Sequence, residues 1–401
     1  MLNRRSLVVL TLAASAAWCA TPGMAADGPL KIGVILPMTG PASNYGGFID
    51  LGMKVGVGQV NDAGGVNGRK IEIIVRDDAS NSARTILAAK ELLNEQKVDM
   101  LYLGVVSGTV MAALPYATEQ KVLTISNGAS PQIGDVSKFP YSFMYTDLAT
   151  QRVPPVAAAL KKLGGQKVGI MTSTNPPQVT FGEALNAQLA SFGMQSVGYR
   201  QFGADAKDLT PQLQSLRDAG ADIIVVSTGY RDHVRVVMQG MQTLGWKAKV
   251  VADPATIYGD LREQMPAALG NQFFAVNYRV GVRTAPPSDA LKAAIAGMKA
   301  IRPIENLALS VLARDTIYLI KWAFETAQKE KGSVSNESLK AILESLGSRQ
   351  LPPGYLLMYE NPAYSAKDHT TSSASQKEFW GLVHVGPLVD GTYEGEALSL
   401  P

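Results

Sequence analysis

Residues 104–131, GVVSGTVMAALPYATEQKVLTISNGASP, decide the fold. A buried strand, VDMLYLGVV, runs into Ser107-Gly108, a helix follows, and a second strand, KVLTIS, runs into Asn127-Gly128-Ala129-Ser130. Both loops therefore lie at strand carboxyl ends, the edge at which open parallel sheets bind their ligands. A helix that opens directly after Ser107-Gly108 also aims unpaired backbone N–H groups at any anion placed there. The stretch points to a site for a small anionic group.

Working outward toward the N-terminus, KIGVILP (31–37) is a short β-branched run ended by proline, and residues 38–48 read as a Gly- and Ser-bearing loop. Helical spacing over 50–61 stops at Asp62-Ala63-Gly64-Gly65, a strand over 70–76 ends at Asp77-Asp78, and 82–95 is a helix. Through Ser130 the pattern is β-α-β-α-β-α-β, which with right-handed crossovers builds a parallel sheet covered by helices on both faces. Toward the C-terminus a second such series runs through helices at 152–163, 181–192, 208–219 and 231–244 and strands at 167–171, 196–202, 222–227 and 249–252. Residues 273–278 then read as a strand, 288–301, 307–328 and 336–345 as helices, and 354–359 and 379–385 as strands. The fold class is α/β: two doubly wound parallel-sheet lobes, with the binding site in the cleft between them.

The chain has 401 residues, 46% hydrophobic and 18% charged, which is globular material in sufficient length for two domains. Its first 26 residues differ: Arg4 and Arg5 precede an uncharged apolar run and then small residues up to Ala26, the pattern of a secretory signal peptide cut after Ala25 or Ala26. Without Arg4 and Arg5, 35 basic residues face 34 acidic ones, so no nucleic-acid partner is implied. The single cysteine, Cys19, falls inside the signal, which leaves no disulfide and no thiolate in the exported chain. A lipid anchor on Cys19 is disfavoured by the bulky Trp18 before it. The apolar run 307–327 is interrupted by Arg314, Asp315 and Lys321 and reads as an amphipathic packing helix, not a membrane span.

Four segments together carry a family resemblance: KIGVILPMTGPASNYG, NDAGGVNGRKIEIIVRDD, the 107–131 stretch and the late DHTTS. The chain resembles the periplasmic leucine/isoleucine/valine-binding proteins, type I solute-binding proteins of ABC importers. The resemblance implies a monomeric two-lobed clamp with three hinge crossings, near Tyr145, Ala275 and Gln350. Lobe 1 is then residues 27–145 plus 276–350, and lobe 2 is 146–275 plus 351–401. It further implies a periplasmic location, a small carboxylate ligand, an amino acid or an aromatic or phenylalkyl acid, and a membrane permease as partner. A sensor of the same fold without transport is the alternative.

By the same resemblance Ser107 binds the ligand carboxylate, with Gly128, Ala129 and Ser130 as backbone-and-hydroxyl partners. Tyr45 is an aromatic from the first loop, Phe181 and Tyr230 are aromatics of the facing lobe, and Tyr145 lies where the chain leaves lobe 1, suited to hinge packing or cleft lining. Two hydroxyls and loop N–H groups satisfy a carboxylate, and aromatics cover the apolar remainder. One departure stands out. Where amino-acid binders of the family place an acidic residue against the ligand ammonium, VVADPAT brings Pro254, with Asp253 adjacent. An ammonium left without its counter-charge costs several kcal/mol, so an acid lacking an ammonium competes with an amino acid as ligand.

Other chemistries find little support. The sequence has no GxSxG, HExxH, Walker-type loop or GxGxxG after a strand, and Gly56 and Gly58 fall within a helix. His233, His369 and His384 are scattered without ligand spacing, so neither a metal nor a cofactor is expected. An exported hydrolase using Ser107 as nucleophile is the least favoured reading, and no enzyme activity is expected.

Overall fold

The computed structural model describes residues 28–230, 232–284, 286–359, 362–371 and 379–400. The expected signal peptide and Cys19 lie outside the described residues. The first series is β1 (Leu30–Leu36), α1 (Ser43–Asp62), β2 (Ile71–Asp77), α2 (Ser82–Asn94), β3 (Met100–Tyr102), α3 (Ser107–Glu119), β4 (Thr124–Ser126) and β5 (Ser142–Met144). All positions of β1 except Lys31 are buried, as a strand covered on both faces must be. Among the described residues the strands form a parallel sheet in the order β2-β1-β3-β4-β5.

The second series is α4 (Val153–Lys162), β6 (Lys167–Ser173), α5 (Pro176–Gln188), β7 (Gln195–Phe202), α6 (Thr210–Asp218), β8 (Ile223–Ser227), α7 (Asp232–Thr243), β9 (Lys249–Ala252), β10 (Phe273–Tyr278) and β11 (Val282–Arg283). Helices α8 (Asp289–Ile301), α9 (Leu307–Lys331) and α10 (Asn336–Glu344) follow, then β12 (Trp380–His384) and β13 (Tyr393–Ala397). The second sheet runs β11-β13-β12-β10-β9-β8-β6-β7. Its β7-β6-β8-β9-β10 portion is parallel and repeats the order of the first sheet, while β12 pairs antiparallel with β10 and β13. In both sheets the order reverses between the first strand of its series and the third, β1 and β3 in one, β6 and β8 in the other. The crevice at such a switch point is where a ligand fits.

Helix α9 packs along α1. Gly52 permits the approach, since a Cβ there would stand 1.8 Å from the Ser310 carbonyl oxygen. The charges that interrupt the apolar run of α9 are paired: Arg314 Nη1 lies 2.9 Å from Asp315 Oδ1, both buried, and the partly buried Lys321 bonds Glu325. Among the described residues no helix is long and apolar enough to cross a membrane.

Several details differ from the sequence reading, and the first is that residues 43–48, read as loop, are the opening turns of α1. Residues 354–359 form turns, because Gly354 takes φ +80° and the N–H groups of Leu357 and Met358 donate to the Asp315 carboxylate (2.6 and 2.8 Å) in place of a neighbouring strand. Helix α5 starts at Pro176, since prolines fit the first turn, where no N–H is needed. Two segments also sit away from their expected lobes. Residues 276–278 continue β10 in the second sheet, and 362–371 pack on β5, where Tyr364 and His369 flank Phe143 and the His369 carbonyl accepts from Met144 N–H at 2.9 Å.

Candidate ligand-binding site

A cavity of about 260 Å³ lies where the two switch points face each other. From the first sheet it is lined by the loop after β1 (Pro41, Ala42) and Tyr45 in the first turn of α1, by Val105 and Val106 after β3 with Ser107 through Thr109 opening α3, and by the loop after β4 (Asn127, Ala129), with Ser80 and Ser82 at the start of α2. From the second sheet come Asn175 after β6 with Pro176 through Gln178 in the first turn of α5, and the loops after β8 (Gly229, Tyr230) and β9 (Pro254, Ala255). Thr146, Arg152, Tyr278 and Leu309 complete the wall. Helices α3 and α5 approach within 8 Å between Cα atoms, and the first turns of both line the cavity.

The α3 end has the features of an anion anchor. Its cap, Val106, is extended and supplies no side-chain hydrogen bond, which leaves the first N–H groups, of Ser107 and Gly108, to the cavity they line. Ser107 Oγ accepts from Ser130 N–H at 3.2 Å, so its hydroxyl hydrogen remains to be donated. Gly128 packs behind this group: a Cβ there would lie 3.4 Å from Ser107 Oγ. Ala129 lines the cavity, whereas the Ser130 hydroxyl bonds Gln132.

Tyr45 reaches from α1 to the other side of the cleft. Its hydroxyl donates to the Ala255 carbonyl at 3.1 Å and bonds the Tyr258 hydroxyl, with the two rings edge to face at 5.1 Å. Burial pushes the Tyr45 phenol well above its usual range. Tyr230 lines the opposite wall, donating to Asn175 Oδ1 at 2.9 Å. Tyr145 does not line the cavity. It is buried at the first chain crossing, its ring edge-on to Tyr359 and its hydroxyl 3.3 Å from Asp315 Oδ2. Phe181 is fully buried in the core behind α5, and the residue one turn earlier, Gln178, lines the cavity instead.

Asp253 lies beneath the cavity, fully buried, while Pro254 lines it. Its carboxylate accepts from Thr256 Oγ1 at 2.6 Å and from Arg152 Nη1 at 3.2 Å. Burial raises its pKa, with Arg152 opposing. Arg152, which the sequence reading left out, is a buried cation on the cavity wall. Its Nε donates to Asp147 Oδ2 at 2.6 Å, and the Tyr278 hydroxyl donates to Asp147 Oδ1 at 2.5 Å. Burial works against the Arg152 charge, and Asp147, Tyr278 and Asp253 more than offset it, so its pKa stands above the usual value. A sequence signal for Arg152 exists in its neighbours, because the apolar helix VPPVAAAL opens directly after it. Gln178 has a similar signal in the helix-opening prolines before it.

The histidines make ordinary structural bonds: His233 to Thr228 and the Ala204 carbonyl, His369 to the Ser142 carbonyl and Glu344. Among the described residues no cluster of His, Cys, Asp or Glu is arranged to hold a metal.

Two sheets of like order that close their switch points over a small cavity define a clamp for a solute. The family model for periplasmic binding proteins matches residues 29–376, and the chain belongs to that family. It is a solute-binding receptor of the ABC-transporter type and is similar to the Leu/Ile/Val-binding proteins. One relative, Leu/Ile/Val-binding protein homolog 3 of Brucella melitensis, is 24% identical over 79% of this chain and 85% of its own. Among solved structures, an ABC-transporter solute-binding protein of R. palustris in complex with 4-hydroxybenzoate matches with a TM-score of 0.74 at 21% identity, over 92% of this chain and 96% of that one. The branched-chain amino acid transporter substrate-binding protein LivJ of Streptococcus pneumoniae, in complex with isoleucine, gives 0.74 at 20% identity, over 92% and 99%.

Proposed function

We propose that this protein is the periplasmic receptor of an ABC importer and closes its lobes on a small carboxylic acid that carries no ammonium group. The observation that carries the reading is the charge inventory of the cavity. Among the described residues no Asp or Glu side chain lines it, and the nearest candidate, Asp253, is committed to Arg152 and Thr256. An α-ammonium would enter without a counter-charge, at a cost of several kcal/mol. A carboxylate, in contrast, meets the Ser107 hydroxyl and the bare start of α3. Of the two structural neighbours, one holds a hydroxybenzoate and the other isoleucine, so proteins of this fold serve ligands with and without an ammonium.

In this reading the lobe on the first sheet takes residues 28–145, 286–359 and 362–371, and the lobe on the second takes 146–230, 232–284 and 379–400. Closure by hinge bending then presents a joint surface to a membrane permease, with ATP hydrolysed by other subunits. A thermal-shift panel of aliphatic amino acids against aromatic and aliphatic acids tests the ligand class. A ligand at 100 times its dissociation constant stabilises by about 2.7 kcal/mol. Stabilisation by α-amino acids alone would overturn the reading, and so would a Ser107→Ala variant that binds the best acid as tightly as wild type.

A further inference from the structure

The anchor at α3 accounts for one end of a ligand. The opposing end of the cavity carries a polar group with nothing to bind. Gln178 lines the cavity, is 3% exposed, and its Oε1 is a buried acceptor without a partner among the described residues. A buried acceptor left unpaired costs about 1–3 kcal/mol, which a bound donor recovers. We infer that Gln178 is a specificity residue that recognises a neutral hydroxyl at the end of the ligand remote from its carboxylate. The inference rests on the proposed binding of a carboxylic acid at Ser107.

The chemistry of the two helix starts separates this ligand from its competitors. At α3 the first turn keeps its N–H groups. At α5 the first two positions are Pro176 and Pro177, which have none, so the positive end of that helix is blunted. A second carboxylate therefore finds no N–H array there. Among the described residues the one cation on the wall is Arg152, which already faces Asp147 and Asp253. What remains on this side is amide chemistry, from Asn175, whose Oδ1 already accepts from Tyr230, and from Gln178. A neutral O–H donor satisfies Gln178 without adding charge to the cleft.

The test is calorimetric titration with matched pairs: benzoate and 4-hydroxybenzoate, phenylacetate and 4-hydroxyphenylacetate, hexanoate and 6-hydroxyhexanoate. Wild type should bind the hydroxylated member of at least one pair about tenfold or more tightly. Gln178→Leu and Gln178→Ala should bring that ratio to about one while retaining the unhydroxylated acid, with melting of the free variants checking that they fold. Ser107→Ala should weaken both members of a pair alike. A wild-type ratio near one, or a ratio that survives both Gln178 variants, overturns this inference and leaves the carboxylate reading intact. Indifference to Ser107→Ala, or failure of every acid to bind, overturns the carboxylate reading and this one with it.

Discussion

The Tyr45 hydroxyl donates to the carbonyl of Ala255 at 3.1 Å, joining the first turn of α1 to the loop after β9 across the cleft. The bond closes one side of the cavity with a group from each sheet. Tyr45→Phe keeps the ring and deletes the bond. Ligand affinity should fall by about three- to tenfold, the worth of one hydrogen bond. Titration calorimetry measures the affinity, and small-angle scattering of the free protein should show a more open form. Unchanged affinity and an unchanged scattering profile would mean that the contact does not hold the closed form.

Arg152 sits between two fully buried carboxylates, Asp147 and Asp253. Removing the cation strands both. Arg152→Met should destabilise by about 3–5 kcal/mol in urea unfolding, the usual cost of breaking a buried pair on one side. A double variant, Arg152→Met with Asp147→Asn, should recover part of that loss. Equal stabilities of the single and double variants would show that Asp147 is not charged against Arg152.

Burial raises the Asp315 carboxyl to about 6, with Arg314 and the N–H groups of Leu357 and Met358 acting against the shift. The folded protein therefore holds a proton that the unfolded chain, with a pKa near 4, has released. Stability from this group is present at low pH and is lost as pH rises from about 4 to about 6, by up to about 3 kcal/mol. The difference in unfolding free energy between wild type and Asp315→Asn should decline over that window and stay flat above it. A difference that rises with pH would reverse the sign.

Two glycines of α1 should respond oppositely to alanine. At Gly52 the methyl meets the Ser310 carbonyl, so Gly52→Ala should cost about 1–3 kcal/mol by overpacking. At Gly58 nothing lies within 4 Å of the added carbon, and Gly58→Ala should stabilise by up to about 1 kcal/mol through helix propensity. Thermal melts of the two variants check both signs.

The parallel sheets were legible because their strands are short apolar runs that end at turn residues, and the residues that line a cleft at strand ends come with that pattern. Ser107 and Ala129 came from this pattern, Tyr45 and Tyr230 from the family resemblance, and all four line the cavity. Phe181 and Gln178 lie three residues apart on one helix, and only the turn that fixes where α5 begins decides which of them faces in. The two prolines set that start, so the signal was in the sequence but had to be read as geometry. Arg152 was less accessible. Its role depends on Asp147, Asp253 and Tyr278, which are brought together from three separate chain segments, and no local spacing announces such a cluster. The strand expected over 354–359 failed for a related reason: its N–H groups go to Asp315, far away in sequence.

Each sheet contributes to the cavity through its own reversal point, and the two halves divide the work. The proposed carboxylate anchor sits wholly on the first sheet's side, at the start of α3 and the loop after β4, while the second sheet's side presents 175–178 and 229–230. These short stretches lead into helices whose cores lie elsewhere, so they can be rewritten without disturbing the anchor. A reagentless optical biosensor for carboxylic acids could be built on that separation: one scaffold, a fixed grip on the acid, and an interchangeable palette of side chains for the remainder of the analyte.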